Sequence, residues 1–237
     1  MDEQTYLASY DRQAFTSPIL SVDAVLFTYH EACLKVLLVE RSNHPDKGLW
    51  GLPGGFVDLE KDHDLDDSVI RKLKEKTGVE PPYLEQLATL GNATRDKRGW
   101  SVTVCYTALI AHQECAANIE SVADAKWVNV EELADLPLAF DHRDIIRLGR
   151  ERLKQKALYS IIPAYALAEK FTLPELQHLH EVLIGKPLQK KSFRRRIAQA
   201  DLLIDTGEKR SEGGRPANLY AMKQDSGNHR FIRNLED

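Results

Sequence analysis

This sequence predicts an α/β layered domain over residues 1–155 and a smaller, mostly helical unit over residues 156–237. Three observations carry that division. Up to about residue 155, short apolar β-branched runs alternate with helical patterns, the rhythm of a sheet covered by helices. Beyond it the order becomes helix, turn, helix, hairpin. Charge changes at the same place: residues 151–237 hold 16 Lys/Arg against 11 Asp/Glu, a net of +5, while residues 1–150 carry a net of −9. An acidic first part joined to a basic last part implies that the C-terminal unit meets a polyanion.

In chain order, LSVDAVLFTY (20–29) and LKVLLVE (34–40) flank a polar HEA turn and read as a β-hairpin. GLWGLPGGF (48–56) is rich in Gly and Pro and is expected to be loop and turn. Val69, Ile70 and Leu73 recur at helical spacing within 66–77, and Gly78 stands as the C-cap. Strands are expected at 83–92 and 99–111, the latter with Val102, Val104 and Tyr106 on one face. AKWVNVEEL (125–133) reads as a strand entering a helix, and 138–157 as a longer helix. In the second unit, 171–186 is a helix with Thr172 as N-cap, Pro174 in the first turn and a stop at Gly185. Helical spacing resumes over 190–201, and two β-like runs, 202–209 and 217–223, flank the loop RSEGGRP. That order is the order of a winged helix-turn-helix. Residues 224–237 are expected to form a loosely held tail.

Composition narrows the setting. With 43% hydrophobic and 29% charged residues the chain suits ordinary packed cores. No apolar run approaches the roughly 18 residues a membrane span requires, and MDEQTYLASYDRQ lacks the basic and apolar regions of a secretory signal. Cys33, Cys105 and Cys115 are odd in number and not spaced as metal ligands. Reduced thiols in the cytoplasm are the expectation, with Cys105 a small core residue.

Residues 55–79 resemble the Nudix box, G-x5-E-x7-R-E-U-x-E-E-x-G-U. In that family the motif forms a loop–helix–loop in an α/β/α sandwich, and its glutamates hold Mg²⁺ or Mn²⁺ against a nucleoside diphosphate. Arg71, Leu73, Gly78 and Val79 match the pattern, and the loop ahead of Arg71 is two residues longer. Of the three helix glutamates only Glu75 remains; Lys72 and Lys76 take the other two places. Exchanging two carboxylates for two ammonium groups changes the local charge by four units. At an effective dielectric of about 20, one repulsive contact at about 4 Å costs roughly 4 kcal/mol. Metal-assisted hydrolysis is therefore expected to be crippled, with no catalytic residue, metal or cofactor. Either the lysines solvate an exposed face, or they belong to a phosphate pocket that has outlived its metal.

RDKRGWSVTVCY (95–106) and LAFDHRDI (138–145) resemble segments of the ADP-ribose-binding branch of the same superfamily. Arg95, Lys97 and Arg98 either bind phosphate or form a solvated turn. Trp100 either stacks on adenine or packs at a strand edge. His142 is either a polar contact or, with Asp141, a helix cap. Arg41 joins the effector set by family position only.

In KKSFRRRIAQAD, Phe193, Ile197 and Ala200 form a narrow apolar stripe. Lys191 and Arg195 point nearly opposite, with Arg194 beside them, and Lys190 and Ser192 complete the first turn. A cationic outer face on the second helix of a helix-turn-helix fits recognition of DNA. The hairpin loop adds Lys209, Arg210 and Arg215 as wing contacts; the plain alternative is a basic solvated surface.

A degenerate Nudix domain followed by a basic winged helix resembles the Nudix-related transcriptional regulators of the NrtR family over nearly the whole chain. The resemblance implies a dimeric repressor of NAD synthesis and salvage genes on palindromic operator DNA, with ADP-ribose or a related nucleotide as the releasing effector. Two other readings stand beside it. One is an active ADP-ribose or sugar-nucleotide pyrophosphatase, with Asp58, Glu60, Asp62 or Asp64 rebuilding a metal site beside Glu75. The other is an interaction module whose basic tail binds acidic proteins.

Overall fold

The computed structural model describes residues 1–11, 14–115, 121–211, 216–231 and 235. Among them, seven strands form the central sheet: β1 (Ile19–His30), β2 (Cys33–Arg41), β3 (Trp50–Gly51), β4 (Gly54–Phe56), β5 (Tyr83–Asn92), β6 (Ser101–Leu109) and β7 (Val122–Asn129). The expected hairpin is present: β1 and β2 pair from Phe27↔Val36 to His30↔Cys33. Its turn is tight, and Glu31 and Ala32 both take positive φ, 53° and 60°, the mirror-image turn whose twist suits antiparallel strands. β1 runs parallel to β6 along Ile19–Phe27, β5 extends the sheet beyond β6, and β7 pairs with β2.

Helix α2 (Leu65–Thr77) covers one face and α3 (His142–Tyr159) the other. Alternation along the strands divides the core accordingly. Val22, Ala24, Val104 and Tyr106 pack with Val69 and Leu73 of α2, while Val25, Phe27 and Cys105 pack with Ile145 and Leu153 of α3. Gly78 closes α2 in the left-handed region at φ 72°, as its C-cap position predicts. Burial pushes the Cys105 thiol up to about 12, the mark of an inert core residue.

The passage at 48–56 is not loop throughout. β3 pairs with Val39 and Glu40 of β2, and β4 pairs with residues Ser21, Val22 and Asp23 of β1. Glycine is what admits β4: a Cβ on Gly54 would stand 2.3 Å from both the Asp23 carboxylate and the Val22 carbonyl. A short helix, α1 (Glu3–Ser9), precedes the sheet with Asp2 as its N-cap and buries no side chain; the apolar pattern offered no sign of it.

In the second unit, β8 (Phe171–Thr172) leads into α4 (Leu173–Ile184) and α5 (Lys190–Ala200), and β9 (Leu203–Arg210) and β10 (Ala217–Met222) form the hairpin. The strand order is β8-β10-β9. Thr172 and Glu175 form a capping box: the Thr172 hydroxyl accepts from the Glu175 amide while the Glu175 carboxylate accepts from the Thr172 amide. The two units share one apolar cluster running from Ile145 and Leu153 through Leu176 and Leu179 to Phe193 and Ile197. Burial of each such side chain contributes about 2 kcal/mol. Buried His180 sits in this seam, its Nδ1 2.9 Å from the Leu176 carbonyl, its Nε2 3.3 Å from the Ser160 carbonyl and its ring edge-on to Phe193.

α3 ends at Tyr159, two residues beyond the helix end expected at 157. One expectation changes. The described part of the tail is fastened rather than loose: the amides of Phe231 and Leu235 donate to the Tyr159 and Leu158 carbonyls at 2.7 and 2.8 Å, and Leu235 is buried. The orphan carbonyls at the end of α3 supply those acceptors.

Candidate functional site

Arg41, Lys72, Lys76, Arg95, Arg98 and His142, predicted from separate stretches, line one cavity of about 280 Å³. They arrive on four supports. Arg41 ends β2, Lys72 and Lys76 project from α2 one turn apart, Arg95 and Arg98 come from the β5–β6 loop, and His142 opens α3. Two acids missed in the sequence, Asp23 and Asp96, also line it. A clue to Asp23 was available: it is the one charge inside the apolar run LSVDAVLFTY.

The cavity floor is a fixed polar network. Asp23 is buried and accepts from the Thr103 hydroxyl at 2.7 Å, with an Arg95 nitrogen at 3.9 Å and His142 Nε2 at 3.7 Å. The Leu52 amide donates to His142 Nδ1 at 2.8 Å, so a neutral His142 carries its proton on Nε2, toward Asp23. Burial lowers the His142 pKa. Gly51 makes room for this ring, since a Cβ there would stand 2.7 Å from Nδ1. Asp141 stands at the N-cap position of α3, but its side chain makes no hydrogen bond to the helix and instead accepts two from Arg95.

Around the rim, Arg98 clasps Asp96 with Nη2 at 2.6 Å and lies over the Phe56 ring at 5.0 Å, holding the Asp96 carboxyl below its usual range. Arg41 donates to the Pro45 carbonyl at 2.9 Å and lies over Phe140 at 4.7 Å. Loss of hydration lowers the pKa of Arg41 and pulls that of Lys76 down to about 8. A dehydrated ammonium among several cations is a seat for an anion. Lys97 is turned away and paired with Asp46.

Glu75 and Trp100 are outside this lining. The Glu75 carboxylate takes an Arg71 nitrogen at 3.1 Å and Lys72 Nζ at 3.5 Å. Trp100 is more than half exposed, with its ring over Gly91 at the edge of β6. The acids ahead of α2 are committed as well. Asp62 takes Arg71 Nε and Nη2 at 2.6 Å each and the Ser68 hydroxyl; Asp64 caps α2; Asp58 pairs with Lys61. Among the described residues no group of three or more His, Cys, Asp or Glu stands where it could hold a metal ion. These residues do not fit the Mg²⁺ or Mn²⁺ of the Nudix pattern.

The second surface is the outer face of α5 and the hairpin. Lys190, Lys191, Arg195 and Lys209 are exposed. The Ser192 amide donates to Gln189, which caps the helix. Arg194 is half-buried and lines a cleft together with Ala217, Asn218 and Tyr220 of β10. Arg210 pairs with Glu175 of α4. Arg215 lies outside the described residues.

Comparison with known proteins covers both units. A protein-family model for the NUDIX domain matches residues 18–149, and one for the NrtR DNA-binding winged helix domain matches residues 163–222. The ADPR responsive transcriptional repressor NtrR of Acinetobacter baylyi is 43% identical over 234 residues, 99% of this chain and 94% of that protein. The crystal structure of Shewanella oneidensis NrtR complexed with a 27mer DNA superposes with a TM-score of 0.86 at 65% identity, covering 92% of this chain and 99% of that one. The NUDIX domain of the same protein, complexed with ADP ribose, superposes at 0.63 with 60% identity, covering 65% and 99%.

Proposed function

The chain belongs to the NrtR family, in which a Nudix domain precedes a DNA-binding winged helix, and we propose that it is a transcriptional repressor released from its operator by ADP-ribose. The α5 face and the hairpin hold DNA, as a homodimer on a palindromic site, and the cationic cavity takes the diphosphate of the effector. The target genes are those of NAD synthesis and salvage, and the protein acts in the cytoplasm.

One observation carries the reading of the cavity as a sensor rather than a hydrolase. Lys72 and Lys76 line it where the Nudix pattern has glutamates, and the acids on and just ahead of the same helix, Glu75 and Asp62, already neutralise Arg71. Such a site binds a diphosphate and leaves it whole. Release of DNA then requires that ADP-ribose bind the DNA-free geometry better, by about 1.4 kcal/mol for each tenfold loss of operator affinity.

The test has two arms. Operator sequences are selected from random duplexes, and their affinity is followed by fluorescence anisotropy while ADP-ribose is added. The expected result is a palindrome bound more weakly with ADP-ribose; no response to ADP-ribose, NAD or related nucleotides would sink the effector assignment. Release of AMP from ADP-ribose with Mg²⁺ or Mn²⁺ would decide for the pyrophosphatase instead.

A further inference from the structure

We propose that the cleft between α5 and the hairpin is a seat for one phosphate of the DNA backbone, and that Arg194 holds this phosphate instead of reading a base. The inference rests on the repressor reading and assigns a division of labour within the basic surface.

The cleft has a volume of about 530 Å³ and lies between Pro174 at the start of α4, Lys190 and Arg194 of α5, and Ala217, Asn218 and Tyr220 of β10. Among the described residues its lining contains two cations and no carboxylate. Arg194 Nε is shut off from water and has no hydrogen-bond partner among those residues. A buried N–H left in that state is costly, and a phosphate in the cleft that draws the guanidinium toward it would give that N–H an anionic oxygen.

The position of the cleft also selects the ligand. A recognition helix lies in the major groove, and the backbone flanks that groove. A wing beside the helix lies across that ridge, so the space between helix and wing is where a phosphate passes. Arg194 is half-buried and lines that space with β10, whereas Lys191 and Arg195 stand exposed on the outer face, free to reach base edges. The planar guanidinium fork matches two phosphate oxygens.

The test uses the full chain, its selected operator and an unrelated duplex. Arg194→Met keeps an apolar stem in the cleft and removes the charge; Arg194→Gln is the second variant, and thermal melting verifies that each folds. Both variants are expected to weaken operator and unrelated DNA by the same factor, about tenfold, and to lower the slope of log affinity against log salt by about 1. A neutral methylphosphonate placed at successive operator phosphates locates the seat. At one phosphate it should cost the parent chain about tenfold and Arg194→Met almost nothing. Additive losses at every phosphate, or a changed base preference with an unchanged salt slope, would overturn the assignment. Failure of the parent chain to bind any duplex would instead remove the repressor reading.

Discussion

Arg95 and Asp141 are joined by two parallel hydrogen bonds, Nε to Oδ2 at 3.0 Å and Nη2 to Oδ1 at 2.9 Å. This fork ties the β5–β6 loop to the first turn of α3, and it explains why the N-cap carboxylate is not used by its own helix. The Arg95 side chain is only 5% exposed. Asp141→Ala would leave that guanidinium buried with the Ser101 hydroxyl at 3.4 Å and Asp23 at 3.9 Å. The expected cost is about 3 kcal/mol in urea unfolding, with a parallel loss of ADP-ribose affinity by calorimetry.

Lys76 sets the second expectation. Its amine has shed water in the cavity, and its pKa stands at about 8. The ammonium form is complete below that value and disappears above it, so affinity for a diphosphate should fall as pH rises through about 8. Lys76→Gln should weaken ADP-ribose binding by about tenfold, the value of one charge-assisted contact, and flatten the pH profile. Operator affinity without effector should not change.

Acid stability should follow the two buried histidines. Burial lowers the pKa of both His142 and His180, so the unfolded chain takes up protons first. Their contribution is complete above the unfolded value of about 6.5 and is lost as pH falls below it, by up to about 1.4 kcal/mol per group for each pH unit. Thermal melts between pH 8 and 5 should show this fall, and His180→Gln should make it shallower.

Asp62 gives the opposite element of the pH profile. Its pairing with Arg71 and the Ser68 hydroxyl holds the carboxyl well below the usual range. That contribution is present above the unfolded value of about 4 and is lost as pH falls further. Asp62→Asn should therefore melt lower at pH 7, and the gap to the parent chain should close progressively below about pH 4.

What could be read in advance was local. The spacing of Val69 and Leu73 with Gly78 marked α2, and the Thr172 cap marked α4, because caps and periodicity act within one helical turn. Six cations and imidazoles were named from separate stretches, and they do share the cavity. What escaped depends on partners far along the chain. β3 and β4 exist because β2 and β1 offer them edges. The tail is held because the end of α3 has carbonyls to offer. The cleft that Arg194 shares with Ala217, Asn218 and Tyr220 of β10 escaped for the same reason: a wheel drawn for one helix contains no neighbour.

α3 has a mechanical consequence. Its first residue, His142, is part of the cavity floor, and the Ser160 carbonyl just past its other end faces His180, which rests against Phe193 of α5. The 18 residues of the helix make a strut about 27 Å long. A tilt of about 4° at the cavity displaces the far end by about 2 Å, the size of the helix shifts that repack interfaces in switching proteins. The strut thus gains leverage from its length alone: a small rotation at the cavity end becomes a larger displacement at the seam with α4 and α5.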